Sequence, residues 1–162
     1  MGLQPDSHLQ VGMKAPDFTL PGVPLGDFQL SQAVKVSPVV LYFYVFDFGQ
    51  LCNIVMLDMI KHRPSFDDLG VQFVGISVDE VRMHVAFKTK FKIPYTLLSD
   101  DEGEVAKAYG VLMETGLYLN MATRALFLID DEMTIRYRWV ALDPAWEPDM
   151  EEVLDAIRDM DR

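Results

Sequence analysis

The segment Val39-Val40-Leu41-Tyr42-Phe43-Tyr44-Val45-Phe46 decides how the rest of the chain is read. It is β-branched and aromatic with no polar alternation, the pattern of a strand buried on both faces inside an α/β sheet. The spacing predicts a central strand over 39–46. A short loop, Asp47 to Leu51, leads through Cys52 into the run Asn53 to Arg63, which has good helix formers and an apolar stripe at Val55, Met56, Met59 and Ile60. Pro64 interrupts it. Proline inside a helix costs about 3 kcal/mol, so a kink or a restarted helix over residues 65–69 is expected.

Outward from this unit, strand and helix patterns alternate. Val71 to Val78 reads as the next strand. Asp79 is placed to cap a helix running to about Lys90, with Val81, Val85 and Phe87 turned inward. Tyr95 to Leu98 is a short strand, and a helix from Asp100 or Asp101 closes at Gly110. Residues 112–123 are irregular. Residues 125–129 and 135–140 flank a turn and form an antiparallel hairpin. The last helix starts near Pro148 and places Met150, Val153, Leu154 and Ile157 on one stripe. Upstream, the Gly- and Pro-rich stretch from Val11 to Phe28 suggests a short edge hairpin capping the main sheet. The first ten residues are expected as a loose tail, and residues 11–162 as a single domain.

At 162 residues, half of them hydrophobic, the chain is long enough for one core. Its single cysteine excludes an internal disulfide, and the first 30 residues lack the basic start and apolar run of an export signal, so a cytoplasmic location is expected. No apolar run approaches the ~20 residues of a membrane span. A formal charge of −11 disfavours nucleic acid, whose phosphates are bound by Lys and Arg. Dinucleotide, phosphate-loop, zinc-protease and nucleophile-elbow motifs are absent, and no cofactor is expected. His8, His62 and His84 have no metal-ligand spacing and read as surface or partly packed residues. The pairs Asp100-Asp101 and Asp130-Asp131 read as helix-start and turn residues.

Cys52 lies where a buried strand gives way to the first turn of a helix. There the helix dipole favours negative charge, and with a nearby cation a thiol pKa falls from about 8.5 into the range ~3.5–7.5. A fall to about 6 raises the thiolate fraction at pH 7 from about 3% to about 90%. Position alone leaves open the other reading, a small buried cysteine filling the core.

The segments VGMKAPDFTL, VVLYFYVFDFGQLC, VGISVDE, PYTLLSDDEGEVAKAYGV and ATRALFLIDDEMTIRY resemble, in order, successive segments of the peroxiredoxins of the AhpC/TSA type. The resemblance runs from about Val11 to the last helix and implies an α/β, thioredoxin-like fold, a central mixed β-sheet flanked by helices with an N-terminal β-hairpin extension. It implies that Cys52 is the peroxide-reactive thiol, that Arg124 is the cation beside it, and that Val45, Gly49 and Leu51 border the bound peroxide. It also implies a peroxide substrate, a sulfenic acid on Cys52 resolved by an external thiol or redoxin, and a homodimer, to which Tyr137, Trp139 and Trp146 are candidate contributors, though ordinary packing explains these aromatics equally well.

The resemblance has gaps. The family's proline seven residues before the cysteine and threonine three before it are Val45 and Gly49 here, and the acid or amide three residues after it is Val55. Hydrogen bonds to a charged group contribute about 1.5–3 kcal/mol, or roughly 10- to 150-fold in rate, so loss of the threonine hydroxyl matters. Two functions follow as expectations: a one-cysteine thiol peroxidase, or a non-peroxidatic redox sensor or binding protein of the same fold.

Overall fold

A computed structural model describes residues 5–24, 26–143 and 146–160, with residues 50–55 described by their backbone alone. Three short strands come first, β1 (Thr19–Leu20), β2 (Gly22–Val23) and β3 (Phe28–Gln29), then a one-turn helix α1 (Leu30–Ala33). The alternating unit follows: β4 (Val39–Phe43), α2 (Gln50–Asp68), β5 (Gln72–Ser77), α3 (Val81–Phe91), β6 (Thr96–Ser99) and α4 (Glu104–Ala108). The hairpin β7 (Ala125–Ile129) and β8 (Ile135–Val140) and the helix α5 (Met150–Met160) complete it.

Six strands form one mixed sheet in the order β2-β6-β5-β4-β7-β8. Strands β4, β5 and β6 run parallel, and β7 pairs antiparallel with both β4 and β8. This is the mixed α/β sheet that the sequence predicts. All five residues of β4 are buried; Val39, Leu41 and Phe43 enter one core and Val40, Tyr42 and, just beyond the strand, Tyr44 enter the other. The strand stops at Phe43 rather than Phe46, at the residue that pairs with Ala125, the first of β7. Tyr44 still donates its N–H to the Ile76 carbonyl at 3.0 Å.

The Gly- and Pro-rich N-terminal segment divides. β1 and β3 pair with each other, while β2 between them joins the edge of the main sheet against β6. Within the first ten residues, Ser7 and Leu9 are buried, and Asp6 pairs with Arg138 at 2.7 Å. Of the two outcomes expected at Pro64, a kink or a restarted helix, the restart does not occur: α2 runs through Pro64 as one element to Asp68. Proline removes a single N–H donor there, and the residues beyond it are anchored by Phe66, which is 1% exposed in the core. Among the described residues no helix is long and apolar enough to cross a membrane.

Helix α3 departs from the sequence reading in its register. Its cap residue is Glu80, not Asp79, and Val81 and Val85 are exposed. Its inward residues are His84 and Phe87, with Phe91 partly buried beside them. His84, expected at or near the surface, is fully buried.

Helix α2 can lie close on the sheet because Gly75 in β5 has no side chain. A Cβ there would sit 2.9 Å from Leu97 Cδ2, 3.1 Å from Tyr44 Cε1 and 3.2 Å from Met56 Cε. Gly75→Ala is therefore expected to destabilise the protein by about 1–3 kcal/mol through overpacking, read as a lower denaturant midpoint.

The β7–β8 turn is held by Asp130, whose carboxylate accepts the N–H groups of Glu132 and Thr134 at 2.9 Å and Arg136 Nη1 at 3.1 Å. Burial alone would raise this carboxyl, but these donors outweigh it and hold it below the ordinary value of 3.8. A depressed carboxylate contributes stability above its unfolded-state value and loses it as pH falls through the folded value. Asp130→Asn is expected to be less stable than the parent at neutral pH, with the difference closing on acidification below 3.8, measured by denaturant midpoints across pH.

Candidate active site

The site is built where the central strands end. The chain leaves β4 at Phe43, crosses residues 44–49 and enters α2 at Gln50, which makes Cys52 the third residue of that helix. Gly49 is the N-cap residue, with φ −74° and ψ 142°, and having no side chain it supplies no capping oxygen. The first-turn N–H groups of α2 are therefore not taken up by a cap, which is the setting that favours an anion. The side chains of Cys52 and Leu51 lie outside the described residues.

Arg124 immediately precedes β7, and its neighbour Ala125 pairs with Phe43. The arginine thus stands at the end of the central strands from which the loop toward Cys52 departs. It is 3% exposed; Nη2 donates to the Trp146 carbonyl, and the guanidinium carbon lies 5.8 Å from the centre of the Trp139 ring. A buried guanidinium needs such partners to offset its desolvation. Of the sequence-predicted residues, Arg124 and Val45 lie at this same end of β7 and β4, with Val45 half-buried against the core that also holds Met56, and Gly49 opens α2.

The structure joins at this loop four residues to which the sequence reading gives no site role: Tyr44, Asp47, Asp79 and His84. Asp47, in the loop, has a fully buried side chain. Its Oδ1 accepts the Tyr44 hydroxyl at 2.6 Å, its Oδ2 lies 2.7 Å from His84 Nδ1, and its backbone N–H donates to Asp79 Oδ2 at 2.6 Å. Asp79 is in turn bonded by the Ser77 hydroxyl at 2.6 Å, and the other nitrogen of His84 faces the Leu98 carbonyl at 2.9 Å. Burial, with the charge and hydrogen bond of Asp47, pushes the Tyr44 phenol well above its ordinary value, so it remains an O–H donor. Burial also raises the Asp79 carboxyl, against the opposing bonds from Ser77 and the Asp47 N–H. Asp47, Asp79 and His84 present ligand-type atoms within 4.8 Å of one another, and hydrogen bonds already join them. The signal for this network in the sequence was the i, i+3, i+7 spacing of His84, Phe87 and Phe91, masked by the more hydrophobic valines on the outer face.

Phe48 follows Asp47 with φ +66°, a left-handed conformation that costs a residue with a Cβ about 1–2 kcal/mol. Its ring is held 5.1 Å from Phe87 and 5.9 Å from Phe91, while Phe46 lies 6.0 Å from Tyr118. The loop is thereby fixed from both sides, by polar bonds at Asp47 and by ring contacts at Phe46 and Phe48.

A mixed sheet whose central strand delivers a lone cysteine to a helix start, with a caged arginine at the same end of the strands, is the arrangement of a thioredoxin-like redox protein. The AhpC/TSA family profile matches residues 11–138. Peroxiredoxin Bcp of Bacillus subtilis is 31% identical over 160 residues, covering 94% of this chain and 97% of that protein. Among solved structures, peroxidoxin BcpB of Mycobacterium tuberculosis superposes with a TM-score of 0.81 at 26% identity, covering 96% of this chain and 100% of that one. The reduced 2-Cys peroxiredoxin of Plasmodium vivax gives 0.83 at 30% identity, covering 93% and 81%. The chain belongs to the AhpC/TSA family, as a peroxiredoxin.

The backbone at Phe48 yields a direct test. Phe48→Ala loses the ring contacts and keeps the Cβ, and Phe48→Gly loses both. The glycine variant is expected to be the more stable of the two by about 1 kcal/mol in denaturant titrations, the reverse of their order at a right-handed helical position.

Proposed function

We propose that the chain is a one-cysteine thiol peroxidase that reduces hydrogen peroxide or organic hydroperoxides through Cys52. The observation that supports this best is the position of Cys52 in the first turn of α2, beyond the end of the central strands that also carries Arg124. The Cys52 thiolate attacks the nearer peroxide oxygen; a C–S–O–H group forms as the O–O bond breaks, and the leaving oxygen takes a proton and departs as water or an alcohol. The helix-start N–H groups and the Arg124 guanidinium stabilise the negative charge on that oxygen as it develops. With no second cysteine in the chain, two external thiol equivalents, from a redoxin or a small thiol, return the sulfenic acid to the thiol and release water and a disulfide. A homodimer is the proposed assembly.

Purified protein is expected to consume peroxide with a supplied dithiol, Cys52→Ser to abolish turnover, and Arg124→Gln to lower the second-order rate constant about 10- to 100-fold, since one stabilising donor contributes of that order. A parent rate constant no greater than that of free cysteine would overturn the reading.

A second reading, a non-peroxidatic redox sensor or binding protein, is favoured by one observation: Gly49 stands where a hydroxyl donor would serve the peroxide. The backbone there is compatible with any residue, and a Cβ would meet only Phe46, at 3.4 Å. Gly49→Thr is therefore expected to fold normally and to raise the peroxide rate constant about 10-fold or more if peroxide reduction is the activity. An unchanged rate in that variant, together with a slow parent, favours the sensor.

A further inference from the structure

We infer that Asp47 and His84 act as a buried, net-neutral pair that positions the loop 44–49 and, through it, the first turn of the helix carrying Cys52. Both ring nitrogens of His84 face acceptors, the Asp47 carboxylate at 2.7 Å and the Leu98 carbonyl at 2.9 Å. A neutral imidazole has a single N–H, so satisfying both contacts requires one extra proton, carried on the ring or on the Asp47 carboxyl. In either case the pair bears no net charge, which is how a carboxyl and an imidazole with fully buried side chains coexist in an apolar core.

The pair does more than fill space, because Asp47 is held along three directions from three elements. Tyr44 bonds it from the end of β4, His84 from α3, and Asp79 takes its backbone N–H from the end of β5. Asp79 is itself tied to β6, whose Ser99 hydroxyl donates to the Asp79 carbonyl at 2.6 Å. The residue so held lies five positions before Cys52 and directly before Phe48, whose left-handed backbone turns the chain toward α2. This loop has valine and glycine where a ring-locked proline and a hydroxyl would stiffen it, and the pair supplies the rigidity from the side. Asp47 and His84 are thus positioning residues, which act by aiming the helix start.

This inference rests on Cys52 being the reactive group, and its test reads the thiol both with and without peroxide. The measurements are the Cys52 pKa, from iodoacetamide alkylation rates across pH, and the second-order rate constant with hydrogen peroxide. His84→Gln, which loses the bond to Asp47, is expected to raise the thiol pKa by about one unit, as fits the loss of one oriented donor, and to slow the peroxide reaction about 10-fold. His84→Asn, whose side-chain amide replaces Nδ1–H, is expected to recover most of both. The double variant Asp47→Asn/His84→Gln is expected to be no worse than the worse single variant, since the two act as a unit. Leu30→Ala, a cavity in the core on the opposite face of the sheet, is the control, expected to lower stability and leave the thiol pKa unchanged. Should His84→Gln not fold, Tyr44→Phe removes a second donor to the same carboxylate and is expected to shift the pKa in the same direction.

A thiol pKa unmoved in His84→Gln, or in Tyr44→Phe if the first does not fold, overturns the inference. So does an equal shift in Leu30→Ala. A thiol pKa shifted in His84→Gln, where the parent itself does not reduce peroxide, upholds the positioning role and removes the peroxidase reading instead.

Discussion

Because both faces of β4 are buried, neither side of the sheet can be left to solvent at its centre, and the remaining elements are arranged to cover them. One face takes the N-terminal segment, α1 and α4; the other takes α2, α3 and α5. A one-residue slip in the register of β4 would bury no less but would reverse which residues meet which cover. Its end is therefore a fixed point, and the chain leaving it enters α2 from a defined place. That is what makes the helix start at residues 50–52 a usable position for chemistry.

The loop between strand and helix illustrates how a site can be rigid with an unpromising local sequence. Val45 and Gly49 restrict the backbone little, and Phe48 sits in a conformation that residues with side chains avoid. Local propensity would not choose this path. It is chosen by contacts from outside its local sequence: the buried carboxylate of Asp47 with Tyr44 and His84, the Asp47 N–H with Asp79, and the Phe48 ring against Phe87 and Phe91. Strain at such a position persists only where its surroundings over-determine it. The departures from the family's usual residues are thus met by a polar network and an aromatic clasp, with Arg124 likewise steadied by Trp139 and Trp146.

Much of this protein was legible in one dimension. The central strand, the alternation of strands and helices, the β7–β8 hairpin and the buried stripe of α5 followed from patterns within a dozen residues, because apolar period and turn chemistry are local signals. The place of Cys52 between strand and helix was legible too, though position alone left a core-filling cysteine equally open; the roles proposed for Cys52 and Arg124 come from the family resemblance. Only the tertiary structure decided which face of α3 turns inward, since valine and histidine compete for that face and the winner is set by a carboxylate 37 residues away in sequence. Likewise Pro64 remains within its helix because the core holds Phe66 beyond it, and Asp79 serves Asp47 rather than a helix cap. In each case the deciding partner is distant along the chain and adjacent in space, and an energy that depends on such a pair leaves no periodicity to read.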